Sequence, residues 1–428
     1  MVINKIRTLL EQDFIKHNLV FLIGSLGIAV FNYLYYPIIG RLVSVSLFGE
    51  IQAWISLFME FGIILTAFGY IITNIVHNHD EKPSKTVLLV ELERLALLVS
   101  IVVFMLLWAS SYYLKSSLQF SSVLPFVALG ALILLNVPAT FRTYFLQGEK
   151  KLKDVSVAGI VFAAGKLAIS VVLVLIGFKI FGVVLGYILA QAANLYYVAY
   201  KTKGKLPSLR SSIPISLKGL KFQSEREDLK REMLYGLFIL TLLAIVTILY
   251  TSDAIIVRRY FTVDESGFFS GISSVARIVF FVTASVAGVL IASVKIKSPQ
   301  KENNKTLGKS LLLVLGIGGL AMIAFSLLPR LSVSILIGHK YADYAYLLPW
   351  LSLSMLLSSV NNLLFSYQIA LRKYATLFPA IVGILLLGTL IALNHDTLKH
   401  IAVDYIICNA VICGITLIQI FRRRVSNV

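Results

Sequence analysis

Arg277 lies inside "GISSVARIVFFVTASVAGVLIAS", residues 271–293, where no other side chain is charged. Lys166 sits alone in the same way in "VAGIVFAAGKLAISVVLVLIG", and Glu60 falls within the apolar run that follows Gly49. A charge at the centre of a membrane helix costs about 2.5–3.5 kcal/mol on insertion scales, so each of the three must face a partner or a polar cavity rather than lipid. One arrangement is a buried pair, Glu60 with Arg277 or Glu60 with Lys166, among small residues that serve close helix packing. The other is a water-filled cavity, and it is the one adopted, because two cations against one acid leave a surplus of positive charge. Residues three, four and seven apart share a helix face. On that spacing Arg277 lies with Ser270, Ser273, Ser274, Ala284 and Gly288, along with Phe280 and Phe281. Lys166 lies with Gly159, Ala163 and Ser170, and Glu60 with Ala53, Ser56 and Ala67.

Weaker candidates surround these three. Asp253 stands close enough in sequence to Arg258 and Arg259 for a local pair and is the second candidate for binding a coupling ion. Asn32 in "AVFNYLYYPIIG" is flanked by Tyr33, Tyr35 and Tyr36, which either mark a membrane interface or line a sugar-sized opening. Arg94 and Arg142 fall toward the inner ends of their runs, where a long side chain snorkels to headgroups at little cost. Covalent chemistry has no signature. His77 and His79 form an H-x-H too sparse for zinc, "LQGEKK" is not a phosphate-binding loop, and no metal or other cofactor is expected. ATP is therefore not the direct fuel. Cys408 and Cys413 fall inside one apolar run and read as packing residues.

The elements that hold these residues follow from composition. Of 428 residues 58% are hydrophobic and 14% charged, against about 25% charged in a soluble chain. Windows long enough to cross a hydrocarbon core as helix recur along the whole length. They place twelve spans at roughly 18–40, 50–76, 86–112, 122–146, 154–177, 180–200, 233–257, 266–293, 307–328, 342–370, 374–393 and 399–421, with Pro125, Pro138, Pro349 and Pro379 as candidate kinks. The class is all-α and polytopic. Basic residues gather in alternate connections, which puts both termini in the cytoplasm. The net charge of +18 is then a mark of topology and not of a nucleic-acid partner. No cleavage-site pattern follows the first apolar run, so it reads as a retained span.

"KTKGKLPSLRSSIPISLKGLKFQSEREDLKRE", residues 201–232, divides the chain into a bundle over 1–200 and a second over 233–428. Nine Lys and Arg against three acids before Glu232 make it a cytoplasmic linker whose later part suits an amphipathic helix on anionic membrane lipids. "IIGRLVSVSLFGEIQAW" from Ile38 and "IIVRRYFTVDESGFFSG" from Ile255 share Ile-Ile-x-Arg, a short polar turn and a helix-opening glycine, Gly49 and Gly267. With six spans each, such halves are related by a pseudo-twofold along the membrane normal, with a site between them. Glu60 lies eleven residues after Gly49, and Arg277 ten after Gly267.

"SDAIIVRRYFTVDESGFFSGISSVARIVFF", "SILIGHKYADYAYLLPWLSLSMLLSSVNNLLFSYQIAL" and "NYLYYPIIGRLVSVSLFGEIQAW" together resemble the polysaccharide transporter, or oligosaccharide flippase, family of the multidrug/oligosaccharidyl-lipid/polysaccharide (MOP) superfamily. That resemblance implies a non-enzymatic plasma-membrane protein of a bacterium or archaeon. It would move a polyprenyl-pyrophosphate-linked oligosaccharide, for O-antigen, capsule or exopolysaccharide, to the outer leaflet by alternating access. It further implies coupling to protons or sodium through Glu60 or Asp253, a pyrophosphate-binding role for Lys166 and Arg277, with Ser273, Ser274 and Asn32 as further substrate contacts, and work alongside a polysaccharide polymerase. Two other functions stand against it. A multidrug antiporter of the same superfamily would want an acid-lined cavity, and a polymerase or ligase would want a large outer loop.

Overall fold

The computed structural model describes residues 24–78, 82–204, 206, 223–294 and 298–422. The N-terminal flank before residue 24, His79 and most of the linker, 205 and 207–222, lie outside the described residues. A helix over 24–42 (α1) is followed by α2 (Val45–Asn78), α3 (Lys82–Ser117), α4 (Leu124–Gly148), α5 (Leu152–Leu175) and α6 (Lys179–Lys201). Beyond the linker come α7 (Gln223–Thr251), α8 (Asp253–Tyr260), α9 (Val263–Ser293), α10 (Gln300–Leu327), α11 (Pro329–Leu336), α12 (Leu348–Ala370), α13 (Leu377–Leu393) and α14 (Leu398–Arg422). Eleven of the described helices are long and apolar enough to cross a membrane, and no strand occurs among the described residues. The protein is an all-α, multi-pass membrane protein.

Local chemistry sets the breaks. α5 and α6 part where expected because Gly177 takes φ +101°, a conformation open to a residue without Cβ. Thr262 caps α9, its Oγ1 accepting from the Glu265 N–H (3.3 Å) while its own N–H donates to Glu265 Oε2 (3.1 Å), a reciprocal capping box. Of the four prolines expected to kink helices, Pro125 and Pro349 lie in first turns and Pro379 is the third residue of α13. Those positions have no intrahelical hydrogen bond to lose; only Pro138 is inside its helix. Span ten begins earlier than expected, with a 3-10 stretch, His339–Leu347, leading into α12.

The chain forms two compact units. One comprises 1–36, 64–116 and 121–236; the other comprises 37–63, 117–120 and 237–428. In the first, Leu65, Ile72 and Ile75 of α2 pack with Leu89, Leu92 and Ala96 of α3 and with Val137, Phe141 and Phe145 of α4. Arg142 does not snorkel. It is buried, and its Nη1 donates to Glu93 Oε1 (3.1 Å) and to Pro138 O (3.0 Å), because α3 brings a carboxylate to its depth. α5 and α6 approach so closely that a Cβ at Gly186 would lie 2.1 Å from Ser170 Oγ and 2.9 Å from the Ser170 backbone nitrogen. In the second unit, Leu290 of α9, Leu307 and Val314 of α10, Leu363, Leu364 and Tyr367 of α12 and Ile420 of α14 form an apolar core.

Gly186→Val should therefore lower the thermal unfolding midpoint in detergent, by a cost of about 1–3 kcal/mol typical of overpacking. Gly316→Val, where an added Cβ meets nothing within 4 Å, should leave it unchanged. Equal midpoints for the two variants would contradict the α5–α6 packing.

Candidate functional site

The second unit gathers five of the residues singled out in the sequence. α7 ends at Thr251, where Thr251 Oγ1 and Ser252 Oγ bond back to Thr247 O (2.8 Å) and Ile248 O (2.6 Å), hydroxyl back-bonding of the kind that bends helices, while the Ser252 N–H still reaches Ile248 O at 3.1 Å. The Ile255 N–H then turns to Ser252 O (3.0 Å), and Thr251 O accepts from Arg277 Nη2 (3.4 Å). Asp253 opens α8 directly beneath this break. Its Oδ1 accepts from Arg277 Nη2 at 2.6 Å and from the Ala254 N–H at 2.8 Å, and its Oδ2 accepts from Ser273. Both members of the pair are buried, Arg277 at 1% exposure and Asp253 at 2%.

The expected local pair of Asp253 with Arg258 or Arg259 does not form. Arg258 is turned away by α8 and donates to the carbonyls of Leu118 (2.9 Å), Gln119 (2.7 Å), Ser46 (3.4 Å) and Val263 (3.2 Å) and to Ser266 Oγ (3.1 Å). Burial pulls its guanidinium below the ordinary arginine value, with Glu50 and Asp264 opposing. Arg259 donates to Ser117.

Glu60 is half-buried on α2, accepts from Thr251 Oγ1 (3.3 Å) and feels both Asp253 and Arg277 electrostatically. Glu60 is thus not Arg277's ion-pair partner; Asp253 is. The mid-membrane tally becomes two acids and two cations instead of one acid and two cations. Gln52, which sequence reading passed over, joins the cluster by accepting from Arg277 Nη1 at 3.3 Å. The signal was present, since Gln52, Ser56 and Glu60 recur every four residues on one face of α2. Gln52 Nε2, Ser56 Oγ and Ser270 Oγ are buried without a hydrogen-bond partner among the described residues, a cost of about 1–3 kcal/mol for each group. Ser274 donates only to Gly271 O (2.7 Å).

Lys166 belongs to the first unit. Its Nζ lies 5.4 Å from the ring centre of Tyr35, 5.4 Å from that of Phe162 and 4.9 Å from that of Tyr187. No ion pair reaches it among the described residues. Cation–π contacts of about 0.5–2 kcal/mol each offset part of the cost of a charge at this depth, and three rings, not a carboxylate, surround the amine among the described residues. The small residues on its face are packing contacts: Gly159 against Ile28 of α1, and Ser170 against Gly186 of α6 and as acceptor from Tyr35 OH (3.3 Å). Asn32 is half-buried on α1 in the same unit. No group of three or more potential metal ligands occurs among the described residues.

A family model described as polysaccharide biosynthesis protein matches residues 15–297. No curated protein matches the chain. Among solved structures it is similar to a multidrug resistance MATE family transporter of the MOP superfamily in an inward-facing conformation, at 14% identity over 93% of this chain and 96% of that one, TM-score 0.69. It is also similar to the lipid II flippase MurJ in an inward closed conformation, at 13% identity over 96% and 93%, TM-score 0.68. A MOP superfamily transporter from Pyrococcus furiosus, whose binding pocket is described as reversed in polarity, aligns at 12% identity over 95% of both chains, TM-score 0.59. At these identities the likeness is one of fold.

Removing one partner of a buried ion pair strands the other, at a cost of about 3–5 kcal/mol. Arg277→Met should therefore destabilise the protein strongly in detergent, and adding Asp253→Asn should recover a substantial part of the loss. Additive losses from the two substitutions would contradict the pairing.

Proposed function

Because the chain belongs to the polysaccharide biosynthesis protein family and has the fold of MOP superfamily transporters, we propose that it is a flippase for a polyprenyl-pyrophosphate-linked oligosaccharide. It carries the saccharide from the cytoplasmic to the outer leaflet of a bacterial or archaeal plasma membrane. The proposal keeps both termini in the cytoplasm and bundles over 1–200 and 233–428 related by a pseudo-twofold, which alternate between access to one side and to the other. A polysaccharide polymerase would consume the product. Translocation makes and breaks no covalent bond, and no enzymatic step is assigned.

The observation that carries this reading is Lys166. The substrate's head group bears about two negative charges and several hydroxyls that must be hidden from oil while the polyprenyl tail stays in lipid. An ammonium with no carboxylate partner is a receptor for phosphate. Asn32, half-buried on α1 in the same unit, offers an amide to the saccharide. Arg277, Ser273 and Asp253 are engaged with one another, so Arg277 reaches phosphate only once Asp253 lets go. A proton or sodium ion taken up at Glu60 or Asp253 lowers the negative charge that holds the guanidinium. Ion binding is thereby coupled to the release of Arg277 and Ser273 toward the head group, with Ser274 on the same helix beside them.

A second reading draws support from the same cluster. Two acids around one arginine suit a cationic cargo, as in a multidrug antiporter, better than the surplus of bases read from sequence. In a flippase-deficient host, with membrane levels matched, Lys166→Ala should lower surface glycan roughly tenfold or more and Lys166→Arg should retain part of it, as expected for loss of a charge-assisted phosphate contact. Full glycan export by Lys166→Ala, or resistance to cationic drugs without glycan export by the parent, would contradict the flippase reading.

A further inference from the structure

The two Ile-Ile-x-Arg motifs end in arginines that do the same thing in opposite directions. Arg258, from the C-terminal half of the sequence, reaches back to carbonyls of the N-terminal half at Ser46, Leu118 and Gln119. Arg41, from the N-terminal half, reaches forward to the carbonyl of Ile335, and Lys340 returns to the carbonyl of Val43. Tyr341 OH adds a bond to Gly40 O at 3.3 Å, and Gln119 Nε2 one to Phe261 O at 3.1 Å. Every one of these contacts lies within the second compact unit, which contains 37–63 and 117–120 alongside the C-terminal helices. All occur at the membrane end that the distribution of basic loops assigns to the outside.

Between the clasps the helices touch without side chains. A Cβ on Gly49 would lie 2.9 Å from Gly267 Cα, and one on Gly267 would lie 2.1 Å from Val45 O. Further along the same seam the character changes. α2 presents Gln52, Ser56 and Glu60, α9 presents Ser270, Ser273 and Arg277, and three of the buried polar atoms have no partner. A seam meant to stay shut would be apolar, like the core of Leu290, Leu363 and Leu364 in the same unit. Polar groups that are unsatisfied when two helices meet are satisfied when water enters between them, so this composition lowers the cost of separation.

We propose that the reciprocal arginine clasps and the Gly49–Gly267 contact are the outer gate of the transport cycle, and that the α2–α9 seam beneath them is the surface that outer water reaches when the gate opens. Arg258 is its positioning residue. Backbone carbonyls suit the task, since they hold a guanidinium by geometry, and no direct ion pair with Arg258 has to break among the described residues. Lysine cannot reproduce the hold, because a point charge cannot serve four carbonyls and a hydroxyl from one planar fork. The gate rests on the transporter reading but requires no particular cargo.

Two measurements test it in the full chain carrying Cys408→Ala and Cys413→Ala. Ser270→Cys, 1% exposed, should react slowly with a membrane-impermeant maleimide applied to intact cells. Adding Arg258→Ala should raise that rate roughly tenfold or more, the scale of losing a buried charge-assisted hydrogen bond, and Arg258→Lys should raise it less. Asp396→Cys, exposed at the same membrane end, should react equally in all three backgrounds. In the second measurement, Ser46→Cys with Val263→Cys is bridged by a short cleavable bis-thiol reagent, the two carbonyls at these positions sharing one nitrogen of Arg258. Bridging should stop glycan export and cleavage should restore it. Bridging leaves Arg258 in place and so reads out even where Arg258→Ala fails to accumulate. An unchanged Ser270→Cys rate in Arg258→Ala, or undiminished export by the bridged protein, would overturn the gate. A parent chain that exports no glycan while the labelling behaves as expected would instead overturn the cargo.

Discussion

Charge in hydrocarbon must be neutralised or solvated, and this protein meets that constraint differently in each of its units. In the second unit, Arg277 is held by a carboxylate, a backbone carbonyl and an amide oxygen. The carbonyl is available because the Ile255 N–H turns to Ser252 O where α7 gives way to α8. A helix break, an acid at the first position after it and an arginine on the facing helix are thus one construction. In the first unit, Lys166 has no such partner among the described residues and lies among ring faces. The first arrangement sets an arginine against an acid; the second sets a lysine against aromatic rings.

The packing around these sites separates what stays together from what comes apart. Where Leu, Ile and Phe interlock among α2 beyond residue 64, α3 and α4, the buried Arg142 carries its own acid, Glu93. Where α2 meets α9, glycine contact gives way to serine, glutamine and glutamate. Apolar area stabilises an interface at roughly 25 cal/mol per Å², whereas buried polar groups without partners subtract from it. One helix, α2, therefore carries an apolar half and a polar half along its length.

Much of this was legible in the sequence. Length and hydropathy fix the spans because a membrane helix must be apolar over its whole crossing, and Gly177 marks the α5–α6 break. The Ile-Ile-x-Arg repeat pointed to Gly49 and Gly267 as equivalent positions, and the two turn out to touch. Pairing was less legible. Asp253 looked nearest to Arg258 because they lie five residues apart in the chain, but the break at Ser252 and the course of α8 aim them at different neighbours. Sequence distance says nothing about direction once a helix has bent. Gln52 was passed over because an amide carries no formal charge, although its spacing to Ser56 and Glu60 placed it on the same stripe. Pro125, Pro349 and Pro379 misled because the same residue that kinks a helix interior is neutral in its first turn; Pro138 does lie inside its helix.

The central claim is that this fold moves a pyrophosphate-linked saccharide and not a cationic drug. The most direct measurement reconstitutes the purified protein in liposomes with a fluorescent short-chain polyprenyl-pyrophosphate oligosaccharide and follows its arrival in the opposite leaflet under an imposed proton or sodium gradient. Translocation that depends on the protein and is accelerated by one of the two gradients is the expected result. No translocation of the saccharide lipid, together with gradient-driven movement of a cationic dye by the same liposomes, would contradict it.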